Sequence, residues 1–250
     1  HDDFDGIVIT HGTNTLEETA YFLHLTIPTS KPIVLVGAQR PYTALSTDAH
    51  YNLLQAIRIA ASEEAHGFGV LVALNDEISS AREANKTNTS RLEAFQSGQL
   101  GFLGYVDPDK KVHLYRKPTK KPTINSEFAT MDFDDLTEVE IIYSYAGASG
   151  HLIDAVSKNE AYKGIVTAGT GAGLISPDEL AALERASDRG LVILRSSRVG
   201  NGRVMDVAPY ENQPFLAADN LLPQKARILL MLALEKYGNQ GVLQRIFDEY

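Results

Sequence analysis

Residues 6–20 run Gly6-Ile7-Val8-Ile9-Thr10-His11-Gly12-Thr13-Asn14-Thr15-Leu16-Glu17-Glu18-Thr19-Ala20. Ile7, Val8 and Ile9 form an unbroken β-branched run, the pattern of a parallel strand covered on both faces. Gly12 permits a sharp turn. Thr15 and Glu18 have the Thr-x-x-Glu spacing of a capping box, which starts a helix near Leu16. Thr13 and Asn14 therefore fall at the carboxyl end of a strand and beside a helix N-terminus. Open α/β sheets bind ligands at such strand ends, and free N–H groups there favour negative charge.

Working outward, the strand-turn-helix pattern recurs. Ile33-Val34-Leu35-Val36 is a second strand ending in Gly37-Ala38-Gln39-Arg40-Pro41. Asp48 is placed to cap a helix whose apolar side carries Leu53, Leu54, Ile57 and Ile59. A third strand over 68–74 ends at Asn75-Asp76-Glu77. Three such units in succession predict a parallel sheet with helices on its faces. Asn85-Lys86-Thr87-Asn88-Thr89 falls in a polar loop, and residues 101–106 and 112–115 are spaced to pair across Asp107-Pro108-Asp109.

Residues 116–138 are rich in Lys, Pro, Thr and Asp without periodicity, which predicts an interdomain linker. A second α/β unit follows. It has strands over 139–145, 164–168 and 191–194, a helix around Ile153 and Val156, and a last long helix opened by Pro223. Ser176-Pro177-Asp178-Glu179 combines a cap, a first-turn proline and a capping-box glutamate ahead of a helix bearing Leu180 and Leu183. The expected class is thus α/β with two domains, each a mostly parallel sheet flanked by helices: 1–115, a linker over 116–138, and 139–250.

The bulk properties remove whole classes of function. The 250 residues carry 23 basic and 32 acidic side chains, a formal charge of -9. That balance argues against a nucleic-acid surface, and the one basic cluster, Arg116 to Lys121, is a solvated loop. With no cysteine, thiolate catalysis, disulfides and Cys-ligated metals are excluded. No segment has the length of a membrane span, and no signal peptide is visible. The seven histidines lack zinc-type spacing, and His11 is better suited to supporting its turn than to catalysis. No Gly-x-Ser-x-Gly elbow occurs. Gly169, Gly171 and Gly173 miss the dinucleotide fingerprint, because the third glycine comes one position early and Asp188 precedes the next strand. Ser196-Ser197-Arg198 ends a strand, and Arg198 is available for a carboxylate.

Several motifs carry a resemblance. His-Gly-Thr-Asn-Thr-Leu-Glu-Glu-Thr-Ala-Tyr-Phe-Leu from His11 resembles a signature of the bacterial-type L-asparaginases. The likeness continues in the family's order through residues 37–41, Asn85-Lys86-Thr87-Asn88-Thr89, Ser196-Ser197-Arg198-Val199 and Pro223-Gln224-Lys225-Ala226-Arg227. It implies an amidohydrolase converting L-asparagine to L-aspartate and ammonia, a homotetramer of tight dimers with sites between subunits, and no metal or organic cofactor. It leaves the compartment open. In the family a Thr-Gly-Gly-Thr-Ile segment with the first catalytic threonine precedes this point. None occurs here, so the first domain is expected to lack its leading strands and the chain alone to have little activity.

The resemblance also assigns roles. Thr13, Lys86 and Asn14 match the family's Thr-Lys-Asp triad, in which lysine activates a threonine hydroxyl. A hydroxyl is a poor nucleophile without a nearby base, and a lysine can be that base where burial or neighbouring charge lowers its pKa. Asn14 departs from the usual aspartate, keeping a carbonyl acceptor but losing the charge that faces a substrate α-ammonium. Ala172 stands where the family has an asparagine serving the neighbouring subunit's site. Both departures weaken recognition of an α-amino group. Two rivals follow: a hydrolase of another small amide on the same scaffold, and a non-catalytic homologue that binds an amino acid.

Overall fold

A computed structural model describes residues 3–121, 123–132 and 135–250. The chain forms two compact units, 1–130 and 131–250.

In the first unit β1 (Ile7–Thr10) leads through α1 (Leu16–Thr26) to β2 (Ile33–Val36), and α2 (Ala49–Ala60) leads to β3 (Val70–Leu74). These three strands are parallel and in register, with Ile7 beside Ile33 and Ile33 beside Val70. The chain then reverses. β3 turns directly into β4 (Glu77–Ser80), and β7 (Gly104–Val106) and β8 (Val112–Leu114) extend the sheet antiparallel. The third expected strand-to-helix unit is therefore a hairpin. Asn75 and Asp76 hold φ of 56° and 63° at its tip, the conformation a tight hairpin requires and Asn and Asp tolerate. A separate ribbon pairs β5 (Asn85–Lys86) with β6 (Phe95–Gln96), so Lys86 lies on a short strand where a loop was expected.

Alternation along β2 and β3 explains their uninterrupted apolar sequences. Ile33, Leu35, Val70 and Val72 pack with Leu16 and Ala20 of α1. Val34, Val36, Leu71 and Ala73 pack with Ala56, Ile59 and Ala60 of α2. β1 does not meet the expectation of burial on both faces: Ile7 is exposed and Val8 and Ile9 only half-buried, because among the described residues β1 pairs with β2 alone.

The inward face of α2 corrects the sequence reading. Leu53, Leu54 and Ile57 are exposed, whereas Asn52 and Gln55 are buried. Asn52 donates to the Gly37 carbonyl at 3.0 Å and accepts the Asn75 N–H at 3.1 Å. Gln55 donates to Asp76 at 2.9 Å. Asp48 does not cap the helix; its carboxylate accepts the Gln39 and Arg40 N–H groups, both at 2.9 Å. The turns after β2 and β3 leave backbone groups inside that must find partners, and α2 supplies them at the expense of its own apolar side.

Much of segment 116–138 is folded onto the first unit. Arg116 pairs with Glu83, Thr123 donates to the Thr29 carbonyl at 3.0 Å, and Phe128 is fully buried. The segment's polar residues are thus used as local hydrogen-bonding groups. Pro122, Phe133 and Asp134, also in the expected linker, lie outside the described residues.

The four-stranded sheet of the second unit is parallel, in the order β12 (Leu216–Ala217), β11 (Val192–Ser197), β10 (Tyr162–Gly169), β9 (Glu138–Tyr143). Ile153 and Val156 of α3 (His151–Ser157) and Ala182, Leu183 and Ala186 of α4 (Pro177–Asp188) cover one face. α5 (Pro223–Tyr237) packs against β9, β10 and β11. A further short helix, α6 (Leu243–Glu249), follows it. No described helix is long and apolar enough to cross a membrane.

Candidate active site

The turn after β1 places Thr13 and Asn14. Its ladder continues one residue past the strand, with the His11 N–H donating to Val36 at 2.9 Å. His11 stays local: Nδ1 is 2.7 Å from the Gly12 carbonyl and Nε2 is 3.0 Å from Thr19 Oγ1. A carbonyl only accepts, so Nδ1 carries the donated hydrogen. The imidazole thus ties the turn to α1, the supporting role expected of it. Gly37 lets the end of β2 pass close by. A Cβ there would lie 2.8 Å from the His11 carbonyl and 2.9 Å from the Thr13 methyl.

Lys86 arrives from β5. Its ribbon partner Phe95 is buried in the core beneath α1, which anchors the ribbon. Lys86 Nζ donates to Thr13 Oγ1 at 2.8 Å and lies 3.5 Å from Asn14 Oδ1. Residues 73 positions apart in sequence therefore meet in the geometry required of a hydroxyl and its base.

Glu17 was not singled out from the sequence. It lies in the first turn of α1, is buried, and its carboxylate accepts the Lys86 backbone N–H. The signal was a carboxylate one position after the first core residue, Leu16, where a helix start turns inward. Asn14, Glu17, Lys86, Thr87, Asn88 and Thr89 line a cleft of about 490 Å³. Asn88 shapes its rim, with Oδ1 accepting the Ser90 and Arg91 N–H groups, each at 3.0 Å. A second hollow of about 450 Å³ opens at the ends of β1 and β2 beside His11, Gly37, Tyr42 and His50.

Ala172 is carried by the second unit, exposed at the tip of the turn between β10 and α4. Thr170 and Leu174 close that turn with mutual backbone bonds of 2.7 and 2.8 Å. Gly171 and Gly173 have φ of 50° and 81°. α4 begins beyond it with a capping box of its own, Ser176 Oγ accepting the Glu179 N–H and the Glu179 carboxylate the Ser176 N–H. Arg198 finds no carboxylate among the described residues; it donates to the Ser144 carbonyl at 3.1 Å and lies near the Tyr143 ring. Among the described residues no cluster of three His, Asp or Glu side chains could hold a metal ion.

A two-unit α/β chain with a lysine amine bonded to a threonine hydroxyl at a strand end has the equipment of a hydroxyl-dependent hydrolase. The family models for "Asparaginase, N-terminal" and "Glutaminase/Asparaginase C-terminal domain" match residues 1–120 and 138–247. The chain belongs to the asparaginase family. It is 45% identical to L-asparaginase 2 of Bacillus subtilis, with all of this chain and 66% of that protein aligned. It is also 45% identical to the glutaminase-asparaginase of Pseudomonas fluorescens, over 99% of this chain and 68% of that one. The crystal structure of a probable cytoplasmic L-asparaginase from Campylobacter jejuni superposes with a TM-score of 0.95 at 44% identity. That match covers all of this chain and 79% of the other.

Proposed function

We propose that this protein hydrolyses the side-chain amide of L-asparagine to L-aspartate and ammonia, using Thr13 as nucleophile and Lys86 as its base. The observation that carries the reading is the 2.8 Å bond from Lys86 Nζ to Thr13 Oγ1 at the edge of an open cleft. Uncharged Lys86 takes the hydroxyl proton as Thr13 Oγ1 bonds to the amide carbon. The proton passes to the nitrogen, the carbon–nitrogen bond breaks, and ammonia leaves an ester on Thr13. Water, deprotonated by the same amine, attacks that ester and restores the hydroxyl. No residue in these steps requires a cofactor.

Asn14 supports a second substrate within the same chemistry. Its amide offers a substrate ammonium a neutral acceptor, and Ala172 offers none, which suits a small amide without an α-amino group. Assembly as a homotetramer of tight dimers accompanies the reading. Tyr51, Leu53, Leu54 and Ile57 of α2 give the first unit an exposed apolar face suited to such contacts.

The test is ammonia release by the full-length protein and by Lys86→Met, with thermal melting as a folding control. Loss of a positioned base is expected to lower kcat by about 10²- to 10⁴-fold with the melt retained. An unchanged kcat would overturn the assignment.

A further inference from the structure

We infer that Glu17 is a positioning residue for the Lys86–Thr13 pair; this rests on the function proposed above. Lys86 is gripped at two points by one short stretch of chain. Its backbone N–H donates to the Glu17 carboxylate, and its Nζ donates to Thr13 Oγ1 at 2.8 Å. Thr13 and Glu17 flank the start of α1, so the same five residues, 13–17, hold the root and the tip of the lysine.

Three features make the lower grip decisive. The β5–β6 ribbon that carries Lys86 is short, two residues in each strand extended by the Thr87 N–H to Ala94 carbonyl bond at 2.7 Å and anchored by Phe95, so the Glu17 bond is a substantial share of what holds the Lys86 backbone. Glu17 is buried, at 6% exposure, so its carboxylate is held by packing and can transmit the position of α1 to the ribbon. Among the described residues that line the cleft it is also the only carboxylate, since position 14 is an asparagine. A bond between a carboxylate and an N–H is among the stronger hydrogen bonds a protein makes. Without it, the lysine amine keeps its chemistry but loses its place.

The distinguishing experiment uses three variants of the full-length protein, each assayed for kcat, KM and melting temperature. Glu17→Gln keeps a carbonyl oxygen at the same reach and is expected to retain kcat within about threefold. Glu17→Ala removes the acceptor and is expected to lower kcat by about tenfold to a hundredfold, the scale of a displaced catalytic group, with KM within about threefold. Lys86→Met tests the underlying reading. If Lys86→Met is inactive but Glu17→Ala retains wild-type kcat, the positioning role is overturned and the proposed mechanism stands. If Lys86→Met is fully active, the mechanism itself fails. If Glu17→Gln is as slow as Glu17→Ala, the acceptor geometry is not the cause and the inference falls. If Glu17→Ala lowers only the melting temperature, Glu17 is structural and the inference falls again.

Discussion

Two helix starts in this chain have the same Ser/Thr-x-x-Glu signature and use it differently. At α4, Ser176 Oγ accepts the Glu179 N–H at 3.1 Å, and the Glu179 carboxylate returns to the Ser176 N–H at 3.0 Å. That carboxylate also takes the buried Ser144 hydroxyl at 2.6 Å. At α1, Thr15 occupies the N-cap position with φ of -124° and ψ of 15° and makes no side-chain cap bond. The buried first-turn carboxylate there, Glu17, reaches out to Lys86 instead. Both starts hold distant groups, α4 the Ser144 hydroxyl and the Ala148 carbonyl and α1 the Lys86 N–H, but only α4 also closes a side-chain cap on itself. The difference teaches that a capping signature marks where a helix begins, while tertiary contacts decide what its polar groups do.

The largest effect should come from Glu179→Ala. It strands the Ser144 hydroxyl and the Ser176 N–H together, and a cost of roughly 3 kcal/mol is expected from buried groups left unsatisfied. Urea denaturation monitored by circular dichroism reads it. Glu17→Ala should cost clearly less stability while costing more activity. Equal losses of stability would break the comparison.

Asn14→Asp sharpens the other side. A carboxylate beside Lys86 and Thr13 gives a substrate ammonium a charged partner, worth about tenfold in kcat/KM for asparagine. The desamino analogue should change by less than about threefold, because it has no cation to meet the new charge. An equal change on both substrates would locate the effect at Lys86 and refute the recognition argument.

A third carboxylate, Glu77, has neither kind of arrangement. Burial raises its pKa from 4.5 to about 7; the Asn75 hydrogen bond opposes the rise, and the Asp76 and Glu93 charges add to it. Between these values the unfolded chain has released the proton and the folded chain still holds it. Stability therefore falls as pH rises from about 4.5 to about 7 and stays lowered above. Glu77→Gln should raise the melting temperature at pH 8 and leave it nearly unchanged at pH 4. A gain of equal size at both would show that the charge is not the cause.

The smallest expected effect is that of Thr15→Ala, within about 0.5 kcal/mol, since no cap bond is lost. Ser176→Ala should cost about 1 kcal/mol or more by loss of a real cap. Chemical denaturation of the pair reads the contrast directly, and equal costs would mean that Thr15 caps α1 in solution.

The apolar strand runs at Ile33 and Leu191 and the Ser176–Glu179 box were legible because each depends on neighbours within a few residues. Thr13 and Lys86 were legible through their motifs, and the structure brings them together. The burial of Asn52 and Gln55, the outward turn of Leu53 and Ile57, the reversal at Asn75 and the reach of Glu17 were not legible. Asn52 turns inward to the Gly37 carbonyl and the Asn75 N–H, Gln55 to the Asp76 carboxylate, and Glu17 to the Lys86 N–H; those partners come within reach only once the strands are side by side. Sequence alone determined the α/β class, most of the elements and their order, and the motifs that carry Thr13 and Lys86. Tertiary structure decided which polar groups are spent on folding and which are left to hold Lys86 over Thr13, because an unsatisfied buried N–H or C=O outweighs the preference of any single side chain.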